Sequence, residues 1–117
     1  MQLNFLKAKI HRATITEADL NYEGSISIDQ NLLDESGIVI YEKVDVLNIN
    51  NGERFTTYVL AEKAGSGVIK VNGAAARKVH KGDLIIIIAY CVIDVLEAKN
   101  FQPKIITVNQ NNVVDKK

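Results

Sequence analysis

Apolar and polar residues alternate with a period of two in several short stretches of this chain, the spacing of β-strands that bury one face. The stretch "LKAKIHRATIT" (6–16) places Lys7, Lys9 and His11 on one face and Ala8, Ile10 and Arg12 on the other. "SISI" (25–28) predicts a second strand, followed by Asp29 as a helix cap, "QNLLDES" (30–36) as a short helix and Gly37 as its stop. "KVDVLNI" (43–49) and "RFTTYVLAE" (54–62) predict two strands joined by "NNGE", where Asn51-Gly52 is a hairpin signal because both residues tolerate positive φ. "GVIKVNG" (67–73) predicts another strand and "AAARKV" (74–79) one helical turn. "DLIIIIAYCVI" (83–93) is β-branched along its length, as in a strand covered on both faces, and "PKIITV" (103–108) follows as the last strand. The tail "NQNNVVDKK" reads as polar and loose. Six or seven short strands with little helix predict a single all-β domain over residues 1–117, a small barrel or a sandwich. The pattern does not separate the two.

Composition narrows the function classes. The chain has 117 residues, 47% hydrophobic and 24% charged, with 14 basic and 14 acidic side chains. A balance of zero gives no electrostatic footprint for nucleic acid or an anionic membrane. The longest apolar run, Leu84 to Ile93, is too short to span a bilayer as a helix, and "MQLNFLKAKIHR" lacks a signal-peptide core. One cysteine, Cys91, excludes an internal disulfide and suits the reducing cytoplasm; within "IIIIAYCVI" it reads as a buried small hydrophobe rather than a nucleophile. His11 and His80 are the only histidines, without close acidic or sulfur partners, so no metal site is expected.

The stretch "NYEGSISID" (21–29) raises the chemical question, since Gly24 and Ser25 stand at the mouth of a strand. Three segments together resemble one family: "KIHRATIT…ADLNYEGSISID" (9–29), "NNGERFTTYV" (50–59) and "VNGAAARKV" (71–79). In order and spacing they are similar to aspartate 1-decarboxylase, the pyruvoyl-dependent enzyme that makes β-alanine for pantothenate synthesis. The resemblance runs through residues 3–90 and departs from the usual pattern after Cys91, in "VIDVLEAKNFQ", which bears on packing or assembly more than on chemistry. It implies a double-psi β-barrel, a homotetramer, and self-cleavage between Gly24 and Ser25 into chains 1–24 and 25–117. It leaves room for a maturation factor as an additional partner.

The implied chemistry is coherent. Decarboxylating L-aspartate leaves electrons on Cα, and no ordinary side chain takes them up. Pyridoxal phosphate would need a phosphate cradle, and "GSG" (65–67) is too short for one and runs into a strand. The alternative is a carbonyl made from the chain. The Ser25 hydroxyl attacks the Gly24 carbonyl, elimination of the resulting ester gives dehydroalanine, and hydrolysis releases ammonia and leaves a pyruvoyl group, which binds substrate as a Schiff base. Glycine at 24 has no Cβ to block attack and reaches strained backbone conformations cheaply. The resemblance makes Tyr58 the proton donor to Cα, and a phenol can act so when close to the carbanion. It makes Thr57 the residue that holds the Gly24 carbonyl and lines the substrate site. On an ideal strand Thr57 and Tyr58 point to opposite faces, so both serve one site only if the strand bulges or a second subunit contributes.

Arg54 shares Tyr58's face at i, i+4, and its planar fork suits a carboxylate. A cation on the departing α-carboxylate would stabilise the ground state, so Arg54, with Lys9, is expected to hold the side-chain carboxylate instead. Gly73, Ala74 and Ala75 match the family's substrate loop. Asn72, Lys9, His11 and Tyr22 match positions near its site, and His80 reads as surface. Two other readings stand beside the enzyme: an uncleaved, inactive precursor, and a non-catalytic β-barrel binding module.

Overall fold

Two β-bulges shape the first strand and set the frame for the rest. The computed structural model describes residues 1–116, and Lys117 of the tail lies outside them. The strands are β1 (Gln2–Thr14), β2 (Glu17–Asp19), β3 (Ser25–Asp29), β4 (Lys43–Asn48), β5 (Arg54–Glu62), β6 (Ile69–Asn72), β7 (Leu84–Asp94) and β8 (Lys104–Thr107). Helix α1 covers Gln30–Ser36, α2 covers Val95–Ala98, and a 3-10 helix covers Gly73–Lys78. The eight strands form one sheet in the order β2-β6-β3-β5-β4-β7-β1-β8. β2 was not expected from the sequence, because three residues are too few to show a period.

The bulges correct the expected facing of β1. Register shifts fall between Leu6 and Ala8 and between His11 and Ala13 where β1 pairs with β7. Arg12 sits in the second bulge with φ 65° and is exposed, so Ala13 and not Arg12 takes the next inward position after Ile10. An inward guanidinium would be buried without a partner, and the extra residue avoids that cost. Lys7 occupies the first bulge and leaves the Lys9–His11 row. Its ammonium donates to both Glu42 carboxylate oxygens at 2.8 Å and to the Gly37 carbonyl at 3.2 Å, pinning the loop before β4.

The core is made of the inward residues of these strands, with Ala8, Ile10, Ile26, Ile28, Val46, Val59, Ile69, Val71, Ile85, Ile87 and Ala89 wholly buried. β7 departs from the expectation of two covered faces. Ile85, Ile87 and Ala89 are buried, while Ile86 and Ile88 are half-buried and Tyr90 is exposed. Cys91 is likewise only partly covered. Within one chain the outer face of this sheet has no second layer above it. Among the described residues no helix is long and apolar enough to cross a membrane.

The helix signals hold. The Asp29 side chain accepts from the Asn31 N–H, and Gly37 takes φ 76° with its N–H on the Leu33 carbonyl. Asp29 also accepts from the Gly65 and Gly67 amides at 3.0 and 2.8 Å, so one carboxylate caps α1 and fastens the 63–68 loop. The β4–β5 connection is a wider loop than the hairpin signal implied: β4 ends at Asn48, β5 begins at Arg54, and only Gly52 takes positive φ.

The tail is not loose. Val108 and Val114 bridge, and Asn112 is 2% exposed. Its side chain accepts from the Thr14 N–H at 2.7 Å and donates to the carbonyls of Thr14 and Gly67 at 2.8 Å each. Asn112 thus ties the C-terminal segment to both β1 and the 65–67 loop, at φ 58°, a conformation asparagine tolerates. Asn112→Ala leaves buried backbone groups without partners and should cost about 2–3 kcal/mol. A thermal unfolding midpoint lowered by roughly 10 °C is expected; an unchanged midpoint would show the tail to be dispensable for stability.

Candidate active site

Antiparallel pairing of β3 with β6 sets Ser25 opposite Asn72, and both side chains are fully buried. Asn72 Nδ2 donates to Ser25 Oγ at 2.9 Å and to Ser27 Oγ at 3.2 Å, while its Oδ1 has no partner. The Ser25 hydroxyl donates to the Glu23 carbonyl at 3.1 Å. That bond reaches back two residues and folds the serine side chain over the Gly24–Ser25 peptide. Gly24 is exposed and Ser25 buried, so the boundary of the interior falls on this one bond.

The glycine requirement is at position 73. Gly73 has φ +76°, and a Cβ there would lie 2.7 Å from Gly24 Cα, 2.8 Å from Gly24 N and 3.1 Å from the Tyr22 carbonyl oxygen. Backbone therefore rests on backbone, as only glycine allows. Gly24, by contrast, is outside the left-handed region and a Cβ on it would meet nothing within 4 Å. The expectation that Gly24 supplies an unusual backbone conformation is corrected: the conformational freedom is used by the residue it leans on. After Gly73 the 3-10 helix carries Ala74 outward, with Ala75 half-buried.

Cross-strand register extends the site. β2 pairs parallel with β6, placing Asp19 beside Asn72 and Glu17 beside Lys70. β3 pairs parallel with β5 from Ile26 and Val59 onward, so Ser25 and Tyr58, each one residue earlier, stand level on neighbouring strands. One row thus runs Asp19, Asn72, Ser25, Tyr58. Thr57 is level with Gly24. Pairing of β5 with β4 is unbroken from Arg54 to Tyr58, so the strand does not bulge. Thr57 is half-buried on the side of Val59 and Tyr58 points outward, 36% exposed. The bulge that would turn both to one face is therefore absent from β5 between Arg54 and Tyr58.

Arg54, Lys9 and His11 belong to a different surface. Arg54 pairs with Leu47, Leu47 with Ile86, and Ile86 with His11, while Thr56, Asp45, Ile88 and Lys9 form the adjacent row. The two rows cross the outer face of β5-β4-β7-β1. A cavity of about 370 Å³ there is lined by Arg54, Leu47, Asp45 and Ile88 among others. Arg54 is four residues from Tyr58, about 13 Å along the strand, and β1 lies four places along the sheet from β3. One chain therefore brings together Ser25, Gly24, Asn72, Gly73, Tyr22, Thr57 and Tyr58, and holds Arg54, Lys9 and His11 apart from them. The pKa of His11 is lowered, first by burial and then by Lys9 and Arg12, which favours the neutral imidazole at pH 7. His80 is exposed, as expected. Sequence reasoning missed Asp19 and Ser27 beside the site and Leu47, Ile86 and Ile88 beside Arg54. Only strand register reveals them.

Comparison with known proteins gives the family. The family model described as aspartate decarboxylase matches residues 1–115. The aspartate 1-decarboxylase of Caulobacter vibrioides is 56% identical over 99% of this chain and 98% of its own length. That of Syntrophus aciditrophicus is 57% identical over 97% of this chain and 98% of its own, and that of Clostridium acetobutylicum 56% over 97% and 90%. Among solved structures, the rationally designed mkDPBB_sym_86 protein, a double-psi β-barrel, superposes with a TM-score of 0.51 at 14% identity, covering 68% of this chain and 92% of that one. The fold is thus the double-psi β-barrel. With a match over nearly its full length, and with identities above half to several curated members, the chain belongs to the aspartate decarboxylase family.

Proposed function

We propose that this chain decarboxylates L-aspartate to β-alanine and carbon dioxide, the β-alanine serving pantothenate synthesis, at a pyruvoyl group made from its own Ser25. The observation that carries the reading is the buried Ser25 hydroxyl, held by Asn72 and bonded back to the Glu23 carbonyl, beside a Gly24 whose N and Cα lie against Gly73. The working form is a cytoplasmic homotetramer.

The residues fit the making of that group. Asn72 fixes one lone pair of Ser25 Oγ, leaving another for the Gly24 carbonyl carbon. Attack transfers the Gly24 acyl group from the Ser25 nitrogen to its oxygen. Loss of the Ser25 α-proton expels the Gly24 carboxylate, which ends chain 1–24. Water then replaces nitrogen on residue 25 and ammonia departs. Thr57, level with Gly24, is the residue placed to steady the Gly24 carbonyl. Asn72 Oδ1, on the same amide, is buried without a partner and is available to accept a hydrogen bond from that water.

In catalysis a pyruvoyl carbonyl supplies the electron sink that the twenty side chains lack. Tyr58, in the row of Ser25, returns the proton to Cα after carbon dioxide leaves. Gly73, Ala74 and Ala75 offer a backbone surface with little side chain for the substrate to approach. Arg54, with Lys9 on the same outer face, holds the β-carboxylate, and since one chain keeps that face away from Ser25, a neighbouring copy presents it. His11, neutral at pH 7, adds no positive charge to that face.

Intact-mass measurement of the purified protein should give pieces 1–24 and 25–117, the larger with a blocked N-terminus that reacts with hydrazine-type carbonyl reagents. Ser25→Ala should remain one inactive chain. A full-length species that still makes β-alanine would sink the mechanism. Tyr58→Phe keeps the ring and loses the proton. It should cleave normally and form β-alanine roughly 10²-fold more slowly, and a rate equal to the parent's would assign the proton to another group. Arg54→Lys keeps charge and loses the two-point fork. A raised KM for aspartate with unchanged processing of Ser25 is expected, and a substrate-analogue structure with Arg54 on the α-carboxylate would reverse the assignment.

A further inference from the structure

The segment that delivers Gly24 to Gly73 has little holding it. Residues 20–24 are exposed and have no regular secondary structure. Yet the segment's last residue, Gly24, is held with N and Cα against Gly73, the first residue of the 3-10 helix. Four contacts fix the segment, and two of them converge on the Lys70 side chain. Asp19 accepts from the Asn21 N–H at 2.9 Å through Oδ1, which turns the chain, and its Oδ2 faces Lys70 Nζ at 3.9 Å. Lys70 Nζ also stands over the Tyr22 ring, 5.0 Å from its centroid. The Tyr22 carbonyl and Gly24 then close on Gly73.

Lys70 is well placed for this. It precedes Asn72 by two residues on β6, so the two side chains share a face. It pairs with Ser27 on β3 and with Glu17 on β2, as Asn72 pairs with Ser25 and Asp19. The rigid strand that orients the nucleophile through Asn72 thus also grips, through Lys70, the loop that carries the electrophile. The ammonium has one aromatic face and one carboxylate as partners, and the side chain is mostly covered at 19% exposure.

We infer that Lys70 is a positioning residue for self-cleavage: it clamps Asp19 and Tyr22 onto β6 and so holds the Gly24 carbonyl beneath the Ser25 hydroxyl. The inference rests on the self-cleavage reading above. It makes no claim on the decarboxylation step, in which Lys70 takes no part.

Charge and ring are both required. Lys70→Met keeps the aliphatic stem and removes the cation, which loosens the loop without emptying the position. Lys70→Arg keeps a cation that stacks on the Tyr22 ring and reaches Asp19. The experiment follows freshly translated chain in a cell-free system by intact mass, timing the disappearance of the uncut species. Lys70→Met should cleave about fivefold more slowly than the parent, the scale of a cation–π contact with a weak ion pair. Lys70→Arg should cleave near the parental rate. Tyr22→Leu should be slow as well, and Lys70→Met combined with Tyr22→Leu no slower than Lys70→Met alone, because Lys70→Met already removes the contact that Tyr22→Leu breaks. Once cut, Lys70→Met and Lys70→Arg should decarboxylate aspartate with parental kcat, which separates positioning from general damage to the fold. Parental cleavage rates in Lys70→Met, or additive slowing in the double variant, would overturn the inference. Absence of cleavage in the parent would instead overturn the reading on which it rests.

Discussion

The contact of Gly73 with Gly24 is the constraint from which the rest of the site follows. The backbones approach so closely that no Cβ fits between them. This fixes where the Gly24–Ser25 peptide lies relative to β6. Once it is fixed, the β3–β6 register puts Ser25 against Asn72, and the β3–β5 register puts Tyr58 level with both. Nucleophile, amide and phenol are then positioned by strands, whose geometry is far more exact than a loop's. The loop before Ser25 has to meet them, and the left-handed turn at Gly73 leaves it one place to rest.

The same strands carry a second surface that the single chain does not connect to the first. Leu47, Ile86 and Ile88 are half-buried on the outer face of β5-β4-β7-β1, flanked by Arg54, Lys9 and His11. A strand such as β7, with apolar residues on both sides, normally has cover on both. Here one side meets the barrel core, and among the described residues no second layer of the same chain covers the other. Apolar side chains in water are tolerable singly, but a row of them beside a pair of cations is a surface shaped for an occupant. The proposed site split between two copies would meet both needs, covering the row and bringing the cations to Ser25.

Much of the fold could be read in the sequence, and the failures have physical causes. The α1 boundaries were legible because a cap and a stop are local: Asp29 and Gly37 act on residues within one turn. Strands β1, β3, β4, β5, β6, β7 and β8 were legible from their apolar runs and alternation. β2 was not, for three residues cannot carry a period. The Arg12 bulge escaped because alternation alone cannot show where an extra residue enters. The tail was misread from composition: its asparagines look like solvent-facing polar residues, but Asn112 spends its amide on backbone groups 98 and 45 residues away in sequence. For the candidate site, resemblance supplied the residues one by one, and the structure grouped them. Register, a property of pairs of strands, separated Arg54 from Tyr58 despite their shared face, and moved the glycine argument from position 24 to position 73.

Asn72 shows what this grouping costs. Its amide donates to two serines, and its carbonyl oxygen is buried without a donor. Such an atom costs about 1–3 kcal/mol relative to a satisfied one. A protein selected for stability alone would fill that place with an apolar side chain or supply a donor. Neither would leave a hydrogen-bond donor on Ser25 Oγ together with an unengaged acceptor next to it. A reaction that passes from hydroxyl to ester to carbonyl at one residue, taking up water and releasing ammonia, presents donors that the resting chain does not have. On the proposed chemistry such donors would meet the unpaired oxygen, and the energy it withholds from the resting fold would be returned as those groups form.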